Sequence, residues 1–369
     1  MSKAAELANL IGNINAGGGG VNRNVIINGA MNVAQRGTSE TGVGASSGYF
    51  TLDRWKYYSS GTAGRVTLTQ DSSAPDGFAN SFKVDVTTAD TSIAAGEQVM
   101  IQQRIEGQNL QHFKKGTSDA LPWALSFYVK GNASATYVAE LMDADNSDRH
   151  VNKQFTVGTD WTRVEITFPA DTTGTMDDDN AVSIDLQIIL HSGTNFTSGT
   201  LQETWGALNQ TNRAVGISSI FDSTDRTFFI TGVQLEVGQN PTEFEHEPYA
   251  TTKNKCLRYY WRQGGGGVCL GSGTYYRANL FAMHQDLAVP MRAAPTLGTE
   301  FNSNSFIIYT NNAVDYCDGF SLGRSNANES GECYAIQWDS NTSASGTIGH
   351  GGVAVTQQSG QYVEFTAEL

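Results

Sequence analysis

Short stretches in which apolar and polar residues alternate run along most of this chain, from residue 24 to its end. In SFKVDVTT, residues 81–88, apolar side chains stand at every second position, and QVMIQQRI, residues 98–105, alternates through Val99, Ile101 and Ile105. Successive side chains of a strand point to opposite faces of a sheet, so this spacing predicts strands with one buried face. Turn residues separate the stretches with no helical run between them, and we therefore expect an all-β, antiparallel sandwich.

The alternation breaks after FFITGVQLEV, residues 228–237. The following GQNPTEFEHEPY contains Pro241 and Pro248, which cannot donate to a sheet ladder. Strand-like stretches resume in TYYRANLFAMHQDLAV, CYAIQWD and QYVEFTAEL, and 369 residues are more than one core usually holds. We therefore predict an N-terminal segment at 1–21, a first β domain at 22–249 and a smaller C-terminal β head at 250–369.

The N-terminal segment has the clearest helical spacing in the chain. Leu7, Leu10, Ile11 and Ile14 recur at helical intervals, and four glycines follow at residues 17–20. So short a helix needs a partner surface, and the glycines make a flexible hinge. We expect the four apolar residues, Leu7, Leu10, Ile11 and Ile14, to form an anchor that docks to another protein. The alternative is that the helix folds back onto its own domain.

The net charge is −14, although charged residues make up only 16% of the chain. This balance argues against nucleic acid as a partner and against electrostatic binding to anionic membranes. No secretory signal pattern and no apolar run of transmembrane length is visible, so we expect no membrane insertion. The cysteines form no Cys-x-x-Cys pair, which favours free thiols, with a disulfide between two of them as the alternative.

Several phrases occur in an order that resembles the jelly-roll domain of phage tail fibre proteins, which is similar to carbohydrate-binding modules. NVIINGAMNVAQRGTS and YFTLDRWKYY resemble its start, WALSFYVKG its central strand, and ETWGALNQ with FFITGVQLEVGQNPTEFEHEPY its final loop and strand. KNKCLRYYWR resembles the connector to a C-terminal head that includes LAVPMRAAPTL. The resemblance covers roughly residues 22 to 300.

The resemblance implies a jelly-roll sandwich followed by a smaller β-sandwich head in a non-catalytic virion protein. Such a protein is a homotrimer that attaches to phage tail proteins by its N-terminus. It binds a host surface glycan or outer-membrane component during adsorption. The chain departs from the pattern in having no long trimeric shaft. The alternatives are a purely structural virion protein, for capsid decoration or tail assembly, and a polysaccharide depolymerase.

Two acidic stretches, DADNSD and MDDDN, are candidates for binding calcium, the one cofactor we consider. An EF-hand loop would need Gly and Glu where Asp148 and Gln154 stand. We favour solvated acidic turns, which need no metal to explain them. The candidate ligands are Asp143, Asp145, Asp148, Asp177, Asp178 and Asp179.

Aromatic residues near turns of the C-terminal domain are candidates for receptor contact, because sugar C–H faces stack on aromatic rings. The alternative is packing at the rim or at a trimer interface. The candidates are Tyr275, Tyr276, Arg277, Tyr316, Trp338 and Asp339. GASSG at 44–48 matches a hydrolase pattern but lacks the strand-to-helix flanks that a nucleophile needs, and we expect no catalytic activity.

Overall fold

The structure is a computed structural model that describes residues 3–4, 22–299, 305–311, 313–328, 331–340, 345–357 and 359–369. The predicted anchor residues Leu7, Leu10, Ile11 and Ile14 lie outside the described residues, as do the glycines that follow them. The chain divides into two compact units, one ending at Thr252 and including Leu369, the other spanning Lys253–Glu368. No helix in the described ranges is long and apolar enough to cross a membrane.

The first unit is built from two antiparallel sheets. One has the strand order β1-β3-β4-β11-β6-β9, and the other β2-β5-β10-β7-β8. The strands are β1 (Ser39–Val43), β2 (Lys56–Ser60), β3 (Arg65–Asp71), β4 (Ser81–Thr88), β5 (Gln98–Glu106), β6 (Trp123–Gly131), β7 (Ala135–Asp143), β8 (Arg149–Val157), β9 (Thr162–Phe168), β10 (Val182–Ser192) and β11 (Thr227–Val237). The helices are α1 (Thr194–Thr197), in the connection from β10 to β11, and α2 (Tyr249–Leu257), with 3₁₀ turns at Gly107–Asn109, Gln111–Phe113, Ala144–Asn146, Gln210–Asn212 and Ile220–Asp222.

The core of this unit lies between the two sheets, where the alternating apolar residues meet. Phe82, Val84 and Val86 of β4 are fully buried, as the alternation in SFKVDVTT predicts. In the facing sheet, Ile184 and Leu186 of β10 are equally buried and join the same core. Burying one face of each sheet against the other is what holds a sandwich together. The predicted all-β jelly-roll sandwich is confirmed.

The first described residues of this unit are bound to the segment that leaves its last strand. The Glu245 carboxylate accepts hydrogen bonds from the backbone N–H groups of Asn22, Arg23 and Asn24, at 2.6, 2.9 and 3.1 Å. The Phe244 ring packs 5.1 Å from that of Phe78. Both ends of the domain are therefore held at one place on its surface.

The second unit is also built from strands, in a sheet of order β12-β21-β15 and a sheet of order β17-β16-β20-β13-β14-β19-β18. Phe306, Phe320 and Phe365 pack around Trp338 in its core. The cysteines are free thiols, as predicted, with Cys269 exposed. The strands are β12 (Tyr260–Gly264), β13 (Cys269–Arg277), β14 (Leu280–Met291), β15 (Thr296–Thr299), β16 (Phe306–Thr310), β17 (Ala313–Cys317), β18 (Phe320–Ala327), β19 (Cys333–Ser340), β20 (Gly351–Thr356) and β21 (Tyr362–Thr366).

Candidate functional site

The receptor candidates of the second unit fall into two groups. Tyr275 and Trp338 are fully buried, so their rings belong to the core and offer no face to a ligand. The Tyr275 hydroxyl donates to Asp315, and burial together with that carboxylate raises the pKa of the phenol. Successive side chains of a strand point to opposite faces of the sheet. The side chains of Tyr275 and Trp338 point to the inner face.

The remaining candidates are on the surface or near it. Tyr276 and Tyr316 are exposed, at 69% and 42%, and Arg277 is also exposed. Asp339 is partly buried and accepts a hydrogen bond from Gln337. Tyr276 and Arg277 end β13, whereas Tyr316 lies on β17, which stands at an edge of the seven-stranded sheet. The structure leaves these side chains accessible without gathering them into one pocket.

Three of the acidic candidates for calcium, Asp143, Asp145 and Asp179, accept hydrogen bonds within the protein. Asp145 accepts from the backbone N–H of Asp177 at 3.0 Å, so the two acidic turns lie side by side. Asp179 accepts from the N–H of Ala181. The described residues contain no group of three or more His, Cys, Asp or Glu side chains placed to hold a metal ion.

Asp143 is bound to an internal cation instead. The buried Lys115 ammonium contacts Asp143, lies 3.2 Å from the Asp171 carboxylate, and donates to the carbonyl oxygens of Thr173 and Gly174 at 3.0 and 2.9 Å. A lysine surrounded by two carboxylates and two carbonyls occupies the kind of oxygen cage that calcium uses. At Asp143 a side chain of the chain itself therefore supplies the positive charge, and calcium binding by the acidic turns stays a prediction.

A cleft of about 320 Å³ lies on the outer face of the five-stranded sheet of the first unit. Its floor is set by strand register. Tyr58 of β2 is opposite Met100 of β5, and Arg104 of β5 is opposite Asp185 of β10, which is in turn opposite Met142 of β7. These residues alternate along each strand with residues that point into the core. The two-residue period of a strand therefore places one set of side chains in the core and the other set in the cleft.

Asp185 is the central polar group of the floor and is 7% exposed. Its Oδ2 accepts from the side-chain amides of Gln102 and Gln187, at 2.7 and 3.1 Å, and lies 3.6 Å from the Arg104 Nε. Its Oδ1 has no hydrogen-bond partner among the described residues. Burial raises the pKa of Asp185 to about 6, against the opposing charge of Arg104. The carboxylate is thus an acceptor with spare capacity at the base of a cleft.

Apolar and amide side chains complete the walls of the cleft. Met100, Met142 and Leu208 supply apolar surface, while Gln98 and Gln210 supply side-chain amides. The Nε2 of Gln98 is buried and has no partner within the part of the chain that the structure describes. Apolar walls with a few converging donors and acceptors are the usual composition of a site for a small polar ligand.

The connection from β10 to β11, residues 193–226, covers part of the same sheet face; we call it the covering segment. Its Arg213 is buried, and the guanidinium donates to both carboxylate oxygens of Glu140 at 2.6 to 3.1 Å and to Gln187 at 2.7 Å. His150 contacts the same Glu140 at 2.9 Å. Burial alone would raise the pKa of Glu140, but Arg213 and His150 hold it below its ordinary value.

Sequence reasoning did not find this cleft, although one signal pointed to it. In QVMIQQRI the inward positions were assigned to the core, but the outward ones are Gln98, Met100, Gln102 and Arg104. A solvated strand face usually carries charged residues rather than amides and methionine. What the sequence cannot supply is the pairing of β5 with β10, which lies about eighty residues later in the chain.

Comparison with known proteins finds similar solved structures but no similar sequence family. No protein-family model and no curated protein matches it. Among solved structures, it is similar to the enzymatically active domain of tailspike protein 4 of bacteriophage CBA120, at 14% identity and a TM-score of 0.31, covering 58% of this chain. The chain spans only 21% of that tailspike chain.

Carbohydrate-binding modules are also similar. A family 4 module matches at 11% identity and a TM-score of 0.29, covering 57% of this chain and 97% of the module. The module TmCBM61, solved in complex with β-1,4-galactotriose, matches at 10% identity and a TM-score of 0.29, covering 58% of this chain and 99% of the module. At these identities and TM-scores, neither comparison assigns a ligand or an activity to this chain.

Proposed function

We propose that the protein binds a glycan, without cleaving it, in the cleft on the outer face of the five-stranded sheet. The observation that carries this proposal is the Asp185 carboxylate, which has an unpartnered oxygen beside the side chains of Gln102, Gln187 and Arg104. A sugar hydroxyl can donate to a carboxylate and accept from an amide or guanidinium. Buried acceptors left unpartnered favour a ligand that brings donors to them.

The apolar residues of the cleft suit the other side of a sugar. A pyranose ring exposes C–H groups that pack on aromatic and thioether side chains, and Tyr58, Met100 and Met142 provide both kinds. The cleft thus combines hydrogen-bonding groups with apolar walls in the way that sugar recognition requires.

A binding role is favoured over hydrolysis by the state of the neighbouring carboxylate. Glycosidases usually work with a pair of Asp or Glu residues, one of which acts as acid and the other as base or nucleophile. Glu140, an acid on the neighbouring strand β7, has both oxygens engaged by Arg213 and one also by His150. Asp185 is the one acid among the strand residues that form the floor, and the exposed Asp148 in the wall is the other acid that lines the cleft. One available carboxylate on the floor suits binding better than bond cleavage.

At a finer level, we propose that this is a phage tail fibre protein, located on the virion tail, that binds a host surface glycan or outer-membrane component during adsorption. The order of tail-fibre-like phrases in residues 22–300 supports this proposal. Attachment through the N-terminus and assembly as a homotrimer belong to the same proposal. Several copies acting together would raise the apparent affinity by roughly 10²–10⁴ over that of a single weak site.

The cleft can be tested by substitution in the full chain. Asp185→Asn and Arg104→Ala should each weaken binding to a panel of immobilised neutral oligosaccharides by about tenfold to a hundredfold, since a hydrogen bond to a charged group contributes about 1.5–3 kcal/mol. Glu165→Gln is the matched control, because Glu165 lies on β9 of the other sheet and is exposed. Its affinity should equal that of the unmodified protein.

Other outcomes would point elsewhere. Equal binding by all three variants would move the site away from the cleft. Loss of binding in Tyr276→Ala or Tyr316→Ala instead would place it in the second unit. If the unmodified protein bound no glycan on the panel, the purely structural role in the virion would be favoured.

A further inference from the structure

The cleft is filled by protein on one side, and this limits how a glycan can lie in it. The backbone of the covering segment is fixed above β8, where the Asn152 side chain donates to the Arg213 carbonyl at 2.6 Å. From there the Arg213 side chain extends over β7 and β10 to reach Glu140 and Gln187. Ala214 packs on Val138 and Ile189, the outward residues of those strands. The covering segment therefore occupies the sheet face around Val138 and Glu140 of β7 and Asn152 of β8, and leaves Met142 of β7 in the floor of the cleft.

The walls of the cleft stand on that same side. Ala144 and Asp148 come from the turn between β7 and β8, while Leu208 and Gln210 come from the covering segment. Gln210 is itself held by the Arg213 guanidinium at 3.1 Å. On the opposite side the lining ends at Tyr58 of β2, which is an edge strand of the sheet. A ligand that enters from the β2 side meets a wall before it has crossed all five strands.

Charge and size narrow the ligand further. Arg104 and Asp185 face each other across the floor, and the charge of Arg213 is engaged by Glu140. Both arginines are thus paired with carboxylates, and Asp148 adds an exposed carboxylate in the wall, so the cleft offers no unpaired cation to an acidic sugar. A volume of about 320 Å³ is at the small end of ligand pockets, so it suits one or two sugar units.

We infer that the cleft binds the terminal units of a neutral glycan chain or side branch, and that it does not accept the interior of a long polymer. This inference rests on the glycan binding proposed above. A polymer interior must leave the site at both ends, whereas the wall formed by Leu208, Gln210 and Arg213 closes one of them. The protein would then recognise chain ends displayed on a surface.

The test compares one oligosaccharide presented in two ways. Each neutral oligosaccharide on an array that binds the full chain is also displayed with further sugar units attached at both ends, so that the same sequence becomes internal. We expect the terminal form to bind at least tenfold more tightly. Equal or tighter binding of the internal form would overturn the inference while leaving glycan binding intact. Binding of no neutral oligosaccharide would overturn both proposals together.

Opening the wall provides an independent check. The double variant Leu208→Ala, Gln210→Ala should narrow the difference between terminal and internal forms to less than threefold, because it removes side chains from the closed end. Glu203→Ala is the matched control on the same segment. Its side chain is exposed and is paired with Lys153 rather than turned to the cleft. An unchanged preference in the double variant, with the fold retained by thermal unfolding, would mean that this wall does not select chain ends.

Discussion

The carboxylate of Asp185 costs the folded protein stability at neutral pH. Its pKa is raised to about 6, because burial disfavours the charged form more than Arg104 favours it. The folded state therefore holds this proton more tightly than the unfolded chain, so stability falls as the pH rises from about 4 to 6 and stays lower above that. Keeping such a group suggests that it is selected for ligand contact rather than for folding.

Asp185→Asn should accordingly stabilise the protein at pH 7 while it weakens binding. The ordinary pKa of an aspartate is near 3.9 and one pKa unit corresponds to about 1.4 kcal/mol, so we expect a gain of about 2–3 kcal/mol in the free energy of unfolding at pH 7. The gain should nearly vanish at pH 4. Urea denaturation at the two pH values measures it. If Asp185→Asn lowered the free energy of unfolding, or raised it equally at pH 7 and pH 4, the raised pKa of Asp185 would be contradicted.

Residue type alone did not separate binding residues from core residues. Trp338 and Tyr275 were chosen as aromatic side chains near turns, yet both lie in the core of the second unit. Tyr276, the next residue along the strand, is exposed. A shift of one position reverses the face to which a strand side chain points, and only the register with neighbouring strands fixes which one is outside.

Among the elements, the covering segment depends most on a single ion pair. The Arg213 guanidinium and the Glu140 carboxylate are both buried, and the segment is further tied by the hydrogen bond from Asn152 to the Arg213 carbonyl. Removing one partner of a buried pair leaves the other charge uncompensated, which costs more than the pair contributes as a whole.

Arg213→Met should lower the free energy of unfolding by about 3–5 kcal/mol, the usual cost of leaving one member of a buried pair alone. Adding Glu140→Gln should restore part of the loss, because neither member of this pair then leaves a buried charge without its partner. The two effects are measured by urea denaturation as a double-mutant cycle. Strictly additive losses would show that the pair does not couple the segment to the sheet. In the unmodified protein, the contribution of Glu140 should be lost as the pH falls below about 4, since its pKa is lowered in the fold.

The strands were easier to predict from the sequence than the covering segment that connects two of them. Period-two alternation of apolar residues identified β4, β5 and β11, although only β4 alternates in burial, and β5 and β11 are buried on both faces. The covering segment has no such period. Its position follows from contacts between residues far apart in the chain, as in the pair of Glu140 with Arg213. The cleft was missed for the same reason, since it exists only once β2, β5, β10 and the covering segment have come together.

For the molecule as a whole, alternation and turn residues were enough to predict the all-β class. The acidic composition argued against nucleic acid as a partner, which stays a prediction, and it did not lead to any specific site. The calcium candidates illustrate the limit. Asp143 stands in an acidic turn in the sequence, but the folded chain brings Lys115 to it from 28 positions away. The sequence shows where acidic residues cluster, but only the fold shows which of their carboxylates are already paired with a cation of the same chain.

The Glu245 carboxylate gives the first unit a particular response to mechanical tension. A pull applied at residues 22 and 245 loads the three backbone hydrogen bonds of this carboxylate, and the force bypasses the sandwich core. Glu245→Ala should lower the rupture force measured with optical tweezers attached at residue 22 and just beyond residue 245, while the unfolding force for a pull across the two sheets stays the same. Equal rupture forces would rule out this load path. A domain linked in this way can remain folded, with its cleft intact, while its two chain ends are strained.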